Sequence, residues 1–158
     1  MKRYIKNVFA DEEYNCFACG PHNPIGLHLQ FYEEDEYVKT EWEPSQNYEG
    51  YPTCIHGGIQ AVLLDEIAAW TLYIKEHCAG VTSHMSVRYC KKLDSDKGKI
   101  TVEGKIKKII YNFCYIDAYI YNSQHEVCAK AEVIYYMFSK EESIEKYRFP
   151  TRQEDFYL

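Results

Sequence analysis

The stretch CIHGGIQAVLLDEIAAWTLYIKE, residues 54 to 76, is where the spacing of apolar residues changes from two to about 3.6. At about 100° per residue, its apolar side chains fall on two faces of a helix. The broad face has Ile59, Val62, Leu63, Ile67, Trp70, Tyr73 and Ile74, and the other has Ala61, Ala68 and Leu72. We therefore predict a helix over about residues 57 to 76, which must be buried because it is apolar nearly all round.

Strands are predicted on both sides of this helix, because apolar and polar residues alternate there with a period of two. Two strands precede the helix and four follow it. Their predicted ranges are residues 27 to 33, 37 to 42, 85 to 90, 100 to 110, 111 to 121 and 126 to 138. The short connections among the last four predict an antiparallel meander.

This order of elements predicts an α+β domain. A lone helix has no second layer to cover it, so a curved antiparallel sheet of about six strands should wrap around it as one long central helix. A chain of 158 residues is expected to form one domain, here residues 1 to 158. Its core should span about residues 14 to 138, and the polar tail, residues 139 to 158, should be a surface appendage.

Composition and charge exclude several classes of function. The formal net charge of −6 argues against a nucleic-acid partner, since such proteins usually show a basic excess. No run of about 18 apolar residues predicts a membrane span, and the N-terminal residues lack the apolar core of a signal peptide. We expect a cytoplasmic protein. Its seven cysteines, an odd number, are then expected to be free thiols.

The segment CFACGPHNPIGLH, residues 16 to 28, has two interpretations. Cys16, Cys19, His22 and His28 could form a zinc knuckle. Alternatively, the segment is a turn rich in glycine and proline, with small thiols packed beneath it. The second interpretation is favoured, because the histidine spacing is irregular and no second Cys-x-x-Cys follows. No metal and no cofactor are therefore predicted.

The start of the predicted helix has the features of an oxyanion site. Backbone N–H groups at a helix N-terminus are unpaired and carry partial positive charge. Gly57 and Gly58 would let a carbonyl oxygen approach them without meeting a Cβ, although glycine there more often serves a tight turn. Asp65 lies about two turns further on and shares a face of small residues with Gly58. It is a candidate general base or nucleophile for hydrolysis of an activated acyl group.

Glu66, the neighbour of Asp65, is harder to assign from the sequence. It falls about 100° away, within the broad apolar face, where an unpaired carboxylate is costly. We interpret it as a structural carboxylate, paired with Arg88 or His56.

The motif HGGIQAVLLDE, residues 56 to 66, resembles the hotdog-fold acyl-CoA thioesterases of the phenylacetate-pathway and 4-hydroxybenzoyl-CoA thioesterase type. The resemblance continues with TSHMSVRYCKKL, residues 82 to 93, in the place of the family's strand after the helix. The leading CFACGPHNPIGLHL, residues 16 to 29, resembles the start of one subgroup. Together these cover roughly residues 14 to 138.

The resemblance implies homodimers or dimers of dimers (homotetramers), with active sites at the subunit interface. It implies that Asp65 is the catalytic carboxylate and that Gly57 donates its N–H to the thioester oxygen. His56 would lie beside the thioester. Thr82 would position the attacking water, from the other subunit.

The resemblance also implies a set of substrate-binding residues, which are Gly58, Asn47, Ser83, Arg88, Lys91 and Lys92. The three basic residues lie where family members often meet the phosphates of coenzyme A; a solvated strand end is an equally good interpretation. The sequence departs from the family in one respect. Many members have an amide side chain just before His-Gly-Gly, whereas Asn47 is further upstream.

The predicted function is hydrolysis of an acyl-CoA thioester to free acid and CoA. An alternative is a hotdog protein that binds or senses acyl-CoA without cleaving it. Such a protein would need the cavity but not Asp65, so the acid favours hydrolysis. A hotdog dehydratase is less favoured, because its usual histidine and aspartate spacing is absent.

Overall fold

The long helix predicted from the sequence is present in the computed structural model, which describes residues 1 to 158. We call it α1, Gly57–Glu76. His56 caps its N-terminus, and His77 ends it in the left-handed conformation at φ 51°. Ten of its residues are buried, as its apolar pattern requires.

Seven strands form one sheet around this helix. They are β1 (Arg3–Tyr4), β2 (Phe31–Glu34), β3 (Tyr37–Trp42), β4 (Gly80–Tyr89), β5 (Ile100–Ile110), β6 (Phe113–Tyr121) and β7 (Val127–Met137). A second helix, α2 (Lys140–Tyr147), follows β7. The strand predicted over residues 27 to 33 begins later, at Phe31, and β1 was not predicted.

The order of the strands corrects the predicted meander. The sheet order is β1-β2-β3-β5-β6-β7-β4, with all neighbours antiparallel. Of the four strands after α1, only β5, β6 and β7 form a meander, whereas β4 pairs with β7 at the far edge. Helix α1 carries the chain from β3 to that edge, and residues 90 to 99 return it to β5 beside β3. The alternation of apolar and polar residues predicts that a segment is a strand, but it does not identify the strand with which that segment pairs.

Helix α1 packs on the sheet across β3 to β7, and Gly104 on β5 permits the close approach. A Cβ at Gly104 would lie 3.2 Å from the Ile67 carbonyl oxygen and would overlap the hydroxyl of Thr71. That hydroxyl donates to the same carbonyl oxygen at 2.7 Å. Glycine at position 104 therefore lets the sheet backbone reach the helix backbone.

The C-terminal tail is part of the core, which corrects its assignment as a surface appendage. Phe149 and Phe156 are buried, and their ring centroids are 5.6 Å apart. Phe9 from the N-terminal segment lies 5.3 Å from Phe149 and 5.8 Å from Trp70 on α1. These aromatic rings cover the side of α1 that the sheet leaves open. The core therefore extends well outside residues 14 to 138.

All seven cysteines are free thiols, as expected. None of the helices combines the length and the apolar character that crossing a bilayer requires.

We predict that replacing Phe156 with alanine lowers the free energy of unfolding by about 3–5 kcal/mol, because the ring is completely buried. The matched control is Leu158→Ala, since Leu158 is 87% exposed. Denaturant unfolding monitored by circular dichroism measures both. If the two variants unfold at the same denaturant concentration, the tail does not belong to the core.

Candidate active site

The N-terminus of α1 is organised by the imidazole of His56. Its Nδ1 accepts a hydrogen bond from the Gly58 N–H at 2.8 Å, which makes His56 the N-cap. The first intrahelical bond runs from the Gln60 N–H to the His56 carbonyl oxygen at 3.1 Å. The Gly57 N–H therefore has no acceptor within the helix and can serve an external oxygen. The Gly58 N–H is already used.

Each of the two glycines has a neighbour that the sequence did not reveal. A Cβ at Gly58 would lie 3.1 Å from Nδ1 of His56, so the capping imidazole requires a small residue there. A Cβ at Gly57 would lie 3.4 Å from the Tyr89 hydroxyl, which donates to the Gly57 carbonyl oxygen at 2.6 Å. Glycine at position 58 thus leaves room for the capping imidazole of His56. The hydrogen bond from Tyr89 links the first turn of α1 to β4.

The carboxylate of Asp65 accepts two hydrogen bonds on one oxygen. The Thr82 hydroxyl donates to Oδ1 at 2.8 Å, and the Tyr135 hydroxyl donates to the same oxygen at 3.0 Å. Oδ2 makes no hydrogen bond within the chain. Burial, together with the charge of Asp65, raises the pKa of Tyr135, so this phenol stays protonated and remains a donor. The two hydroxyls orient the carboxylate and leave one oxygen free.

A β-bulge brings these two hydroxyls together. Thr82 on β4 faces Tyr135 on β7, and the register shifts between Thr82 and His84. The extra residue is Ser83, which is exposed. A bulge bends its strand and redirects neighbouring side chains, here toward Asp65. Thr82 therefore reaches Asp65 of its own chain, whereas the sequence-based expectation placed it across a subunit interface.

Tyr135 was missed at the level of the sequence. It lies 70 residues after Asp65 and reads as one more apolar position of an alternating strand. Its only distinguishing signal is the hydroxyl, since a buried tyrosine usually needs a hydrogen-bond partner. That signal does not identify the partner.

Glu66 faces a different environment from Asp65, and its predicted pairing with Arg88 or His56 is wrong. Its Oε1 accepts a hydrogen bond from Nε1 of Trp70 at 3.1 Å and lies 3.8 Å from Sγ of Cys16. Burial, and secondarily the nearby Cys16, raises the pKa of Glu66 to about 7. Consecutive helical residues point about 100° apart, so Asp65 faces β4 and β7 while Glu66 faces the Cys16 turn.

Besides Gly58 on α1 itself, two of the predicted substrate-binding residues lie near the start of the helix. Asn47 is exposed in a short 3₁₀ turn, Gln46–Tyr48, and the Tyr48 carbonyl oxygen accepts from the His56 N–H at 2.9 Å. Lys92 donates to the Thr53 hydroxyl at 2.9 Å, in the loop that leads into α1. Lys92 also forms an ion pair with Asp94 at 3.2 Å.

Lys91 and Arg88 are less well placed. Lys91 forms an ion pair with Glu126. Arg88 lines an open cleft on the outer face of the sheet, with Lys107 and Lys130 among its neighbours. Since the adjacent Tyr89 reaches α1, the alternation of β4 directs Arg88 away from the helix. The structure does not bring Arg88 together with Asp65.

The four residues of the possible zinc knuckle are not assembled as a set. Nε2 of His28 lies 2.5 Å from the Asn23 carbonyl oxygen, and His22 is exposed. Instead, the two sulfurs of Cys16 and Cys19 and a carboxylate oxygen of Glu66 lie within 4.8 Å of one another. These are the residues of the chain that could hold a metal ion.

Comparisons with known proteins connect this geometry to solved structures. No protein-family model matches the chain, and no curated protein matches it. A thioesterase-superfamily protein of known structure is 23% identical with a TM-score of 0.72, over 77% of this chain and 60% of that chain. The PaaI protein from the phenylacetic acid degradation operon of E. coli is 16% identical, with a TM-score of 0.63, over 72% of this chain and 81% of that one.

A third similar structure is a hypothetical thioesterase from Streptococcus pneumoniae, solved with coenzyme A. It is 22% identical with a TM-score of 0.64, over 70% of this chain and 89% of that chain. Structures of this protein with one aspartate or one threonine replaced by alanine are similar to the same degree, at 21% identity and a TM-score of 0.64. At such identities the comparisons establish the fold: the chain has the hotdog fold of thioesterase-superfamily proteins, as its sequence predicted.

Proposed function

We propose that the protein hydrolyses an acyl-CoA thioester to a free acid and CoA. The observation that carries this proposal is the Asp65 carboxylate, whose Oδ1 accepts from Thr82 and Tyr135 while Oδ2 is free. A similar solved structure contains coenzyme A, and its variants alter an aspartate and a threonine, the residue types that meet here as Asp65 and Thr82.

In the proposed reaction, Oδ2 of Asp65 accepts a proton from a water molecule as the water oxygen attacks the thioester carbonyl carbon. The carbonyl oxygen becomes negative and is stabilised by the Gly57 N–H and the positive end of α1. The C–S bond then breaks, and the CoA sulfur takes up the proton from Asp65. His56, exposed at the helix start, would lie beside the thioester.

The length of α1 supports a site that two chains share. Gly57 and Asp65 are eight residues apart, which is about 12 Å along the helix axis. A donor to the oxyanion must lie about 3 Å from its oxygen, and a base must be within hydrogen-bond reach of the attacking water. A carbonyl oxygen bound at the Gly57 N–H is far from the Asp65 carboxylate of the same helix, which favours an Asp65 from a second chain. We therefore propose that Gly57 of one subunit acts with the partner subunit's Asp65.

Strand β4 supports this arrangement. It is an edge strand of ten residues, Gly80–Tyr89, most of them exposed. A long unpaired edge is a template for pairing with another chain, and a two-fold axis would place the same strand on both sides. Thr82 next to Asp65, and Tyr89 next to Gly57, are both on β4. Pairing through β4 would thus join two sites into one homodimer.

Contacts to CoA are proposed for the residues near the start of α1. Asn47, Gly58 and Lys92 border this region. Ser83 would contact the ligand from the β4 bulge beside Asp65. Lys91 and Arg88 could contribute only if the CoA phosphates pass over the β4 edge, because Arg88 is on the outer face.

We expect Asp65→Asn and Asp65→Ala to lower kcat by about 10² or more, the usual effect of removing a general base. A thiol-release assay over a panel of acyl-CoAs measures this. The matched control is Asp96→Asn, which alters an exposed aspartate in the loop before β5. A wild type that binds acyl-CoA but releases no thiol would instead identify a binding or sensing protein.

We expect Tyr135→Phe to lower kcat by roughly 10-fold with little change in KM, because it removes one charge-assisted hydrogen bond that orients Asp65. Tyr136→Phe is the control, since the neighbouring tyrosine points to the other face of β7. An equal loss of kcat in both variants would show that Tyr135 does not act through Asp65.

The shared site predicts complementation between two inactive variants. Gly57→Pro removes the N–H but suits the first helical position, and the extended His56 at φ −55° and ψ 136° tolerates a following proline. Gly57→Ala retains the N–H and serves as the control. When Gly57→Pro and Asp65→Asn chains are co-expressed and pair at random, about half of the dimers contain one chain of each kind. One of the two sites in such a dimer combines an intact Gly57 with an intact Asp65. About a quarter of all sites should therefore be active. No recovery of thiol release would place both groups in one subunit's site.

A further inference from the structure

The turn at Cys16 and Cys19 packs against the middle of α1, on the side opposite Asp65. The Cys19 N–H donates to Sγ of Cys16 at 3.4 Å, and Sγ of Cys16 lies 3.8 Å from Oε1 of Glu66. The Tyr14 hydroxyl lies 3.1 Å from Sγ of Cys19. A Cβ at Gly20 would lie 2.6 Å from the Cys16 carbonyl oxygen, so glycine there is required by the tightness of the turn.

Tyr14, Cys16, Cys19 and Glu66 form a cluster of groups that can become negative, and no cationic side chain is paired with them. None of the ion pairs in the protein includes Glu66, although its carboxylate is partly buried. Buried charge is normally paired or bound to a metal, and here the chain supplies no basic partner.

We propose that Cys16, Cys19 and Glu66 bind one divalent cation of the zinc type through two sulfurs and one carboxylate oxygen. Zinc prefers such sulfur and oxygen ligands in tetrahedral geometry, with Zn–S about 2.3 Å and Zn–O about 2.0–2.2 Å. Those bond lengths separate the ligand atoms by about 3.5–3.8 Å. The three atoms already lie within 4.8 Å of one another, so small side-chain rotations complete the site.

The fourth ligand of the tetrahedral site would be the Tyr14 hydroxyl or a water molecule. Binding releases the protons of the two thiols to solvent as the metal–sulfur bonds form. The cation would tie the N-terminal segment to α1 one residue from Asp65, and its role would be structural. The ligand set differs from the zinc knuckle considered from the sequence, because Glu66 takes the place of His22 and His28. This proposal is independent of the proposed hydrolysis.

The test is titration of the reduced, chelator-treated, full-length protein with Co²⁺ and Zn²⁺. Co²⁺ reports thiolate ligands by its charge-transfer absorption, and Zn²⁺ affinity is measured by competition with a chromophoric chelator. We expect one ion per chain. We also expect at least a 10-fold weaker Zn²⁺ affinity in Cys16→Ser, Cys19→Ser and Glu66→Gln. Cys90→Ser is the matched control, since Cys90 is exposed and lies outside the cluster.

The melting temperature provides a second measurement that guards against misfolded variants. At one fixed Zn²⁺ concentration, Zn²⁺ should raise the Tm of the wild type and of Cys90→Ser by the same amount, and should raise the Tm of the three ligand variants by less. A wild type that binds no stoichiometric metal overturns the proposal. So does a cobalt spectrum that is the same in wild type and Cys16→Ser, or Zn²⁺ binding that Glu66→Gln does not weaken.

Discussion

Burial of α1 is the constraint on which the rest of the structure depends. The helix is apolar on nearly every side, so no single layer can cover it. The sheet covers one side, where Gly104 lets the two backbones approach, and the aromatic cluster of Phe9, Phe149 and Phe156 covers the other. This packing fixes the direction in which each side chain of α1 points, including those of Asp65 and Glu66.

The adjacent carboxylates of α1 acquire different chemistry from this packing. Asp65 meets the hydroxyls of Thr82 and Tyr135, which orient it and leave one oxygen free. Glu66 meets the indole of Trp70 and the thiol of Cys16, in surroundings that raise its pKa to about 7. A helix that must be covered on both sides can thus present one acid to a reaction and its neighbour to a structural cluster.

The sequence predicted what depends on local periodicity and missed what depends on distant pairing. The bounds of α1 and the strand Tyr37–Trp42 were predicted correctly, because their apolar spacing is regular over the whole element. The position of β4 was wrong, since alternation does not encode which strand lies alongside. Asp65 was predicted as a candidate from its spacing to Gly57, whereas Tyr135 contacts it only through the pairing of β4 with β7. Phe156 was missed because polar residues surround it in the sequence.

The central claim is that two subunits act on one thioester carbonyl. The N-terminus of α1 in one subunit binds the carbonyl oxygen, and the Asp65 carboxylate of the other subunit activates the attacking water. A crystal structure with a non-hydrolysable acyl-CoA analogue tests it most directly. The account predicts that the carbonyl oxygen lies about 3 Å from the Gly57 nitrogen of one subunit. The partner subunit's Asp65 should lie within reach of a water beside the carbonyl carbon. An analogue bound away from Gly57, or within reach of Gly57 and Asp65 of the same chain, would contradict the account.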